Sequence, residues 1–288
     1  MLDFNYFVMK TIIVINDGSP AGEHAAGVAL GIAQKVNANL LVANAVKVPS
    51  PVNLREYVLV RGGHEEKVEE LKSPGLETRP GPIDHNLDGN FTPQIEFVDA
   101  SDFSLNDFVH FIIGNNAWML VKGASDEAPA DDAYLSANIQ SILNRVGCPL
   151  LLIPEKAHLK DFECIAYMAD LRYCQIPVVN YLAQLARHYQ AKIQIAHVSA
   201  KGLPDMDERY ARSFFSEAIC RKVHYDELYF NNIREKDLQR VIDVLIHGMK
   251  TDLLVLINHQ FHFEELMGRC ITSQLPGYIT VPVLVFPN

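Results

Sequence analysis

The sequence of 288 residues predicts an α/β protein made of two copies of one five-stranded, parallel-sheet domain in tandem. Short, wholly apolar runs alternate with segments of helical periodicity. The alternation recurs after a shift of 153 positions, and a Pro-flanked apolar run closes each copy. Parallel strands are covered on both faces, so they read as continuous apolar runs, and a strand–helix–strand unit demands a right-handed crossover.

Ile12-Ile13-Val14-Ile15-Asn16-Asp17 is the first strand, and its copy is Ile165-Ala166-Tyr167-Met168-Ala169-Asp170; both end in Asp. The same shift carries Ala38–Ala43 onto Ala191–Ala196 without a gap. Between these strands Ala25, Val28, Ala29, Ile32, Ala33 and Val36 mark one helical face behind Pro20. Val178, Leu182, Leu185, Ala186 and Tyr189 do the same after Pro177. Ile95–Val98 and Val223–Phe230 suit a third strand. Helices follow over Leu105–Ile113, with Ser104 as its cap, and Lys236–His247. Trp118–Val121 and Leu253–Ile257 are fourth strands; a further helix then leads to the closing runs Cys148–Pro154 and Val281–Pro287. The boundary falls near Pro154–Leu159 and divides the chain into domains 1–156 and 157–288. Ser73–Pro93, rich in Pro, Gly, Asp and Asn, reads as a long loop inserted in the first domain. Glu65, Glu66, Glu69 and Glu70 read as a solvated helix face.

With 49% hydrophobic and 21% charged residues the composition is globular rather than disordered. The chain has 25 basic against 35 acidic residues, a net charge of −10, which argues against nucleic acid or an anionic membrane as the main partner. No window approaches ~18 uninterrupted apolar residues, so no membrane span is expected. The first residues lack a basic n-region, so no secretory signal is expected. Five cysteines without a CxxC pair indicate neither a disulfide framework nor a zinc knuckle, and a reducing cytoplasm is the expected compartment.

Four motifs stand out against this background. They are Lys10-Thr11-Ile12-Ile13-Val14-Ile15-Asn16-Asp17-Gly18-Ser19, Ala196-His197-Val198, Asp252-Leu253-Leu254-Val255-Leu256 and Cys148-Pro149-Leu150. They resemble the strand ending in Thr-Asp-Gly-Ser, the Leu-His-Val, the Asp-Leu-Ile-Val-Met and the closing Cys-Pro-Val of the universal stress protein family, in its tandem two-domain form. The resemblance covers nearly the whole chain except 73–93. It implies Rossmann-like domains that pair through their last strands as a pseudo-dimer, and a stress-linked regulatory role rather than a defined reaction. Some members bind ATP and others do not.

ATP-binding members carry Gly-x2-Gly-x9-Gly followed by Ser or Thr after the fourth strand. Glycines there let the backbone approach phosphates, and the hydroxyl and helix N-terminus supply donors. Counted from Gly123, the second glycine is Asp126 and the Gly-Ser pair falls on Ser136-Ala137. The loop also carries Glu127, Asp131 and Asp132, carboxylates that would repel a polyanion. In the second copy Asn258 and Phe261 replace the two glycines, and Arg269-Cys270 stands near the Gly-Ser pair. By family position the nucleotide-contacting residues are Asp17, Gly123, Ser136, Asp170 and Val198. Asp17 and Asp170 have an equally good reading as strand ends that cap the next loop.

His197, His259, His262 and Asp170 gather at the C-terminal strand ends of the second copy, with Glu264 and Glu265 just beyond. Neutral imidazoles there could hold zinc, although the commoner reading is of solvated or hydrogen-bonded histidines. No nucleophile elbow or recognisable cysteine–base motif is present, and Ser19 sits where hydroxyls cap helices. The leading expectation is a regulatory binding protein with degenerate nucleotide loops, no catalysis and no cofactor. An adenine-nucleotide binder using ATP or AMP is the alternative, and a zinc-dependent binder or hydrolase the second. The expected partner is another protein or a small molecule, with room for a homodimer.

Overall fold

Backbone pairing joins the strands of both copies into one sheet. The computed structural model describes residues 9–47, 91–124, 135, 138–158, 160–268, 271 and 274–288. The first half supplies β1 (Lys10–Asn16), β2 (Ala38–Asn44), β3 (Ile95–Asp99), β4 (Ala117–Ala124) and β5 (Leu150–Pro154). The second supplies β6 (Cys164–Ala169), β7 (Lys192–Val198), β8 (Leu228–Ile233), β9 (Leu253–Ile257) and β10 (Val283–Phe286). Their order is β3-β2-β1-β4-β5-β10-β9-β6-β7-β8. Pairing within each half is parallel, whereas β5 meets β10 antiparallel, with Leu151 opposite Leu284. The order in which parallel strands are added reverses between β1 and β4, and again between β6 and β9, so each half has a switch point of the kind that receives ligands in open α/β sheets.

The helices are α1 (Pro20–Val36), α2 (Leu105–Gly114), α3 (Ile139–Leu143), α4 (Ile176–Tyr189), α5 (Glu208–Phe214), α6 (Leu238–Asp243) and α7 (Phe261–Met267). Right-handed crossovers in opposite directions place them on opposite faces. One core packs α1 and α4 against Ile12, Val14, Ile165 and Tyr167; the other packs α2, α3, α6 and α7 against Ile13, Ile15, Ala166 and Met168. Ser19 caps α1 by accepting from the Gly22 N–H, and Ser104 and Asp107 form a reciprocal capping box on α2.

Two element boundaries differ from the sequence reading. β8 starts at Leu228 rather than Val223. The Val223 N–H donates back to the Ile219 carbonyl and the Tyr225 hydroxyl to the Ala191 carbonyl at 2.5 Å, which hold that stretch as a turn. α6 begins at Leu238 because Asp237 caps it, and it continues as a π-helical turn over Val244–Gly248. Residues 73–90 of the inserted loop, and the glutamates at 65, 66, 69 and 70, lie outside the described residues.

Aromatic packing closes the seam between halves. Trp118 of β4 stacks on Tyr181 of α4 with centroids 4.8 Å apart, and the Tyr181 hydroxyl donates to the Trp118 carbonyl at 3.0 Å. Phe286 of β10 meets Tyr181 edge-on at 5.1 Å. The buried Asp252 carboxylate accepts from the N–H groups of Glu163 and Cys164 and pairs with Lys160, which pins the connection between halves to the start of β6. Among the described residues no helix is long and apolar enough to cross a membrane.

Candidate functional site

The strand ends at the two switch points hold polar residues inside otherwise apolar layers. In the first half, Asn16 is fully buried at the end of β1; its amide donates to Asn44 at 2.9 Å and its oxygen accepts from the Gly18 N–H. Asp17 follows. Its Oδ1 accepts from the Ser19 hydroxyl at 2.5 Å and the Ser19 N–H at 3.2 Å, and its Oδ2 faces the Lys122 ammonium at 3.4 Å. Lys122, one residue before Gly123, is 0% exposed, and its Nζ also donates to the Gly123 carbonyl at 3.1 Å. Burial opposes ionisation of Asp17, but the Lys122 charge and the Ser19 donors outweigh it and hold the carboxyl below its ordinary pKa. Burial pulls the Lys122 pKa down, and Asp17 offsets part of that.

Gly123 has a structural reason to be glycine. A Cβ there would stand 2.2 Å from the Ala21 carbonyl oxygen and 2.7 Å from the Gly22 nitrogen. Its bareness lets the first turn of α1 lie directly on β4. The structure thus brings Asp17 and Gly123 together around Lys122, a residue the sequence reading passed over. A lone charge following the strand residues Trp118-Met119-Leu120-Val121 was the available signal. Ser136, together with Asp126, Glu127, Asp131 and Asp132, lies outside the described residues.

In the second half Asp170 ends β6 with a side chain fully out of water. Arg172 holds it in a fork, Nε to Oδ1 at 2.8 Å and Nη2 to Oδ2 at 2.6 Å, and the Ala200 N–H donates to Oδ2 at 2.9 Å. Burial raises the Asp170 pKa, yet these donors win and the net shift is downward. The Val198 carbonyl, at the end of β7, accepts from His262 Nε2 at 2.9 Å. A carbonyl only accepts, so Nε2 of His262 carries the proton. His197 is fully buried, and its Nδ1 accepts from the Leu171 N–H at 3.0 Å. Burial lowers the pKa of both imidazoles, and the nearby Asp170 charge counters this in part. The cavity left beside Asp170, His262 and Phe263 measures about 10 Å³.

His259 points elsewhere, with its ring nitrogen 3.2 Å from the Gln140 amide of α3. Asn258, at the first glycine position, is bound by both Gln140 and Asn144 of the first half. Gln140 also accepts from the Ile271 N–H at 2.9 Å. The loop after β9 is therefore engaged by the other half of the chain. The side chain of Phe261, and Arg269 and Cys270, lie outside the described residues. His197, His262 and Asp170 are neighbours while His259 is turned to α3. Among the described residues no group of three or more His, Cys, Asp or Glu side chains is placed to hold a metal.

Among solved structures, a universal stress protein from Archaeoglobus fulgidus DSM 4304 superposes with a TM-score of 0.55 at 11% identity, covering 96% of this chain and 98% of that one. The fold is that of the universal stress proteins. A second structure assigned to these proteins, from Pseudomonas aeruginosa UCBPP-PA14, matches 97% of this chain and 93% of its own at 12% identity, with a TM-score of 0.49. No family model matches the sequence, and no curated protein matches it significantly. At such low identity the universal stress protein fold is carried by strand order and layer packing rather than by shared residues.

Proposed function

We propose that this chain is a tandem universal stress protein that acts in the cytoplasm as a regulatory binding protein without catalysis, its nucleotide positions filled by its own side chains. The observation that carries the reading is the pairing of His262 with the Val198 carbonyl beside a cavity of about 10 Å³. Such a space admits at most one water, far less than a purine ring, and the neighbouring hollow of about 410 Å³ is lined by Tyr173, His259, Gln260 and Glu264 rather than by Asp170 or Val198. Arg172 on Asp170 removes the second polar handle a nucleoside would use in that half. In the first half Asp17 already has Lys122 and Ser19 as partners, and the last turn of β4 is committed to packing α1. Pairing of the halves through β5 and β10 supports the pseudo-dimer.

Isothermal titration with ATP and AMP at millimolar ligand tests the reading. We expect no heat beyond dilution, and elemental analysis of the purified protein to show well under one zinc per chain. A saturable heat would replace this reading with the nucleotide-binding alternative, and stoichiometric zinc with the metal-dependent one.

A further inference from the structure

The two ends of the seam between the halves are built differently. At one end α3 of the first half reaches over the β9 loop, where Gln140 and Asn144 bind Asn258 and the Ile271 N–H. At the opposite end, where the β5–β10 pairing puts the end of β5 beside the segment before β10, the described residues line a cleft of about 970 Å³. α1, the connection after β5 and the segments before β9 and β10 line it. Its volume lies in the ~300–1,000 Å³ range of small-molecule sites. None of Asp17, Gly123, Asp170 or Val198 contributes to its walls.

Its lining has two chemical parts. Val28, Ile279 and Val281 give an apolar wall, continued by Phe162 and Tyr189, whose ring centroids lie 5.0 Å apart. Asp161 pairs with Lys35 at 2.9 Å and Asp252 with Lys160, and further lining residues of opposite charge, Glu155 and Lys156, are each engaged as well. Lys250 is the contrast. It sits at a positive φ of 56° in the turn before β9, and its ammonium has no ion pair or hydrogen bond among the described residues. An apolar wall beside one uncompensated cation suits a ligand with an apolar body and a single negative charge. We propose that this cleft binds a small amphipathic carboxylate, its hydrocarbon or ring against the Phe162–Tyr189 wall and its carboxylate on Lys250. The site goes beyond the regulatory reading above and stands or falls independently of the nucleotide titration.

The test is a titration of the full chain with octanoate, and in parallel with octan-1-ol, followed by backbone amide chemical shifts. Octanoate should give saturable shifts concentrated at cleft residues such as Val28, Gly277 and Thr280, and octan-1-ol should bind several-fold more weakly. Lys250 is exposed, so Lys250→Glu should weaken octanoate about fivefold while leaving octan-1-ol unchanged. Gly277→Trp, at a position where a Cβ meets open space, should block both probes. Circular dichroism checks that each variant is folded. Absence of saturable shifts, or equal binding of the two probes with no response to Lys250→Glu, would overturn the proposal. So would the same shifts appearing with protein concentration alone, which would assign the face to a second copy of the chain.

Discussion

The two switch points share a backbone plan and differ in what fills them. In the first half the filling side chain comes from the sheet itself: Lys122 stands inside β4, wholly out of water, with Asp17 as counter-charge. In the second, beside His197 of β7, it comes from beyond the strands: Arg172 lies on the short turn Leu171–Tyr173 and remains 28% exposed, while His262 lies on α7. A polar group embedded in a central strand cannot leave without opening the core. A group carried on a turn or short helix can be removed while the strands stay paired. Damage to the first strand end should therefore appear as lost global stability, and damage to the second as a local and pH-dependent change.

Asp17→Asn is the severest way to probe this contrast. It leaves the Lys122 ammonium buried beside a carbonyl with no counter-charge, and should cost about 3 kcal/mol in urea unfolding. Lys122→Met leaves Asp17 without its counter-charge but still held by the two Ser19 donors and 10% exposed, and should cost less, about 2 kcal/mol. The double variant should lie near Lys122→Met rather than at the sum, since the two side chains act as one unit. Additive losses would show that the pair is not coupled. Gly123→Ala should follow at about 2 kcal/mol, because the new methyl meets the α1 backbone rather than a side chain that can turn away. Gly147→Ala is the control: a Cβ there meets nothing within 4 Å, so the change should fall within about 0.5 kcal/mol. If the two glycine variants lose the same stability, close packing of α1 on β4 is not why position 123 is glycine.

The layers of this fold were legible because burial on both faces forces strands such as Ile12–Ile15 and Leu253–Ile257 to be apolar throughout, and no tertiary knowledge is needed to see that. The Ser19 and Ser104 caps were legible for the same reason, since capping is local chemistry. What fills the strand ends was not. His262 reaches Val198 across 64 positions and Gln140 reaches Asn258 across 118, and no periodicity encodes which of many polar loop residues will meet. Lys122 was visible as a charge in an apolar run, but its partner becomes apparent only once β1 and β4 are paired. The misplaced start of β8 has a local cause. Val223, Tyr225 and Leu228 look alike as strand formers, and the Ile219 and Ala191 carbonyls decide between them.

The smallest effect separates the halves by titration. His197 and His262 of the second half have pKa values held below the ordinary imidazole value of about 6.5, burial being the chief cause for each. For His262 the Val198 carbonyl, Asp170 and Glu265 act in the opposite direction without reversing it. An imidazole whose folded pKa is depressed takes up protons more readily in the unfolded chain. Its contribution to stability is therefore complete above about pH 6.5 and is lost as pH falls toward the folded value. The depressed carboxylates Asp17 and Asp170 lose theirs only on further acidification, below about pH 4. Between about pH 7.5 and 5 the melting temperature should fall, and His262→Gln, which keeps a donor for Val198 but does not titrate, should reduce that fall by on the order of 2 °C. Gly147→Ala should leave the slope over this range unchanged, because the new methyl meets nothing within 4 Å and so touches no titrating group. A wild-type slope in His262→Gln, or a flattened one in Gly147→Ala, would show that the pH response does not come from His262.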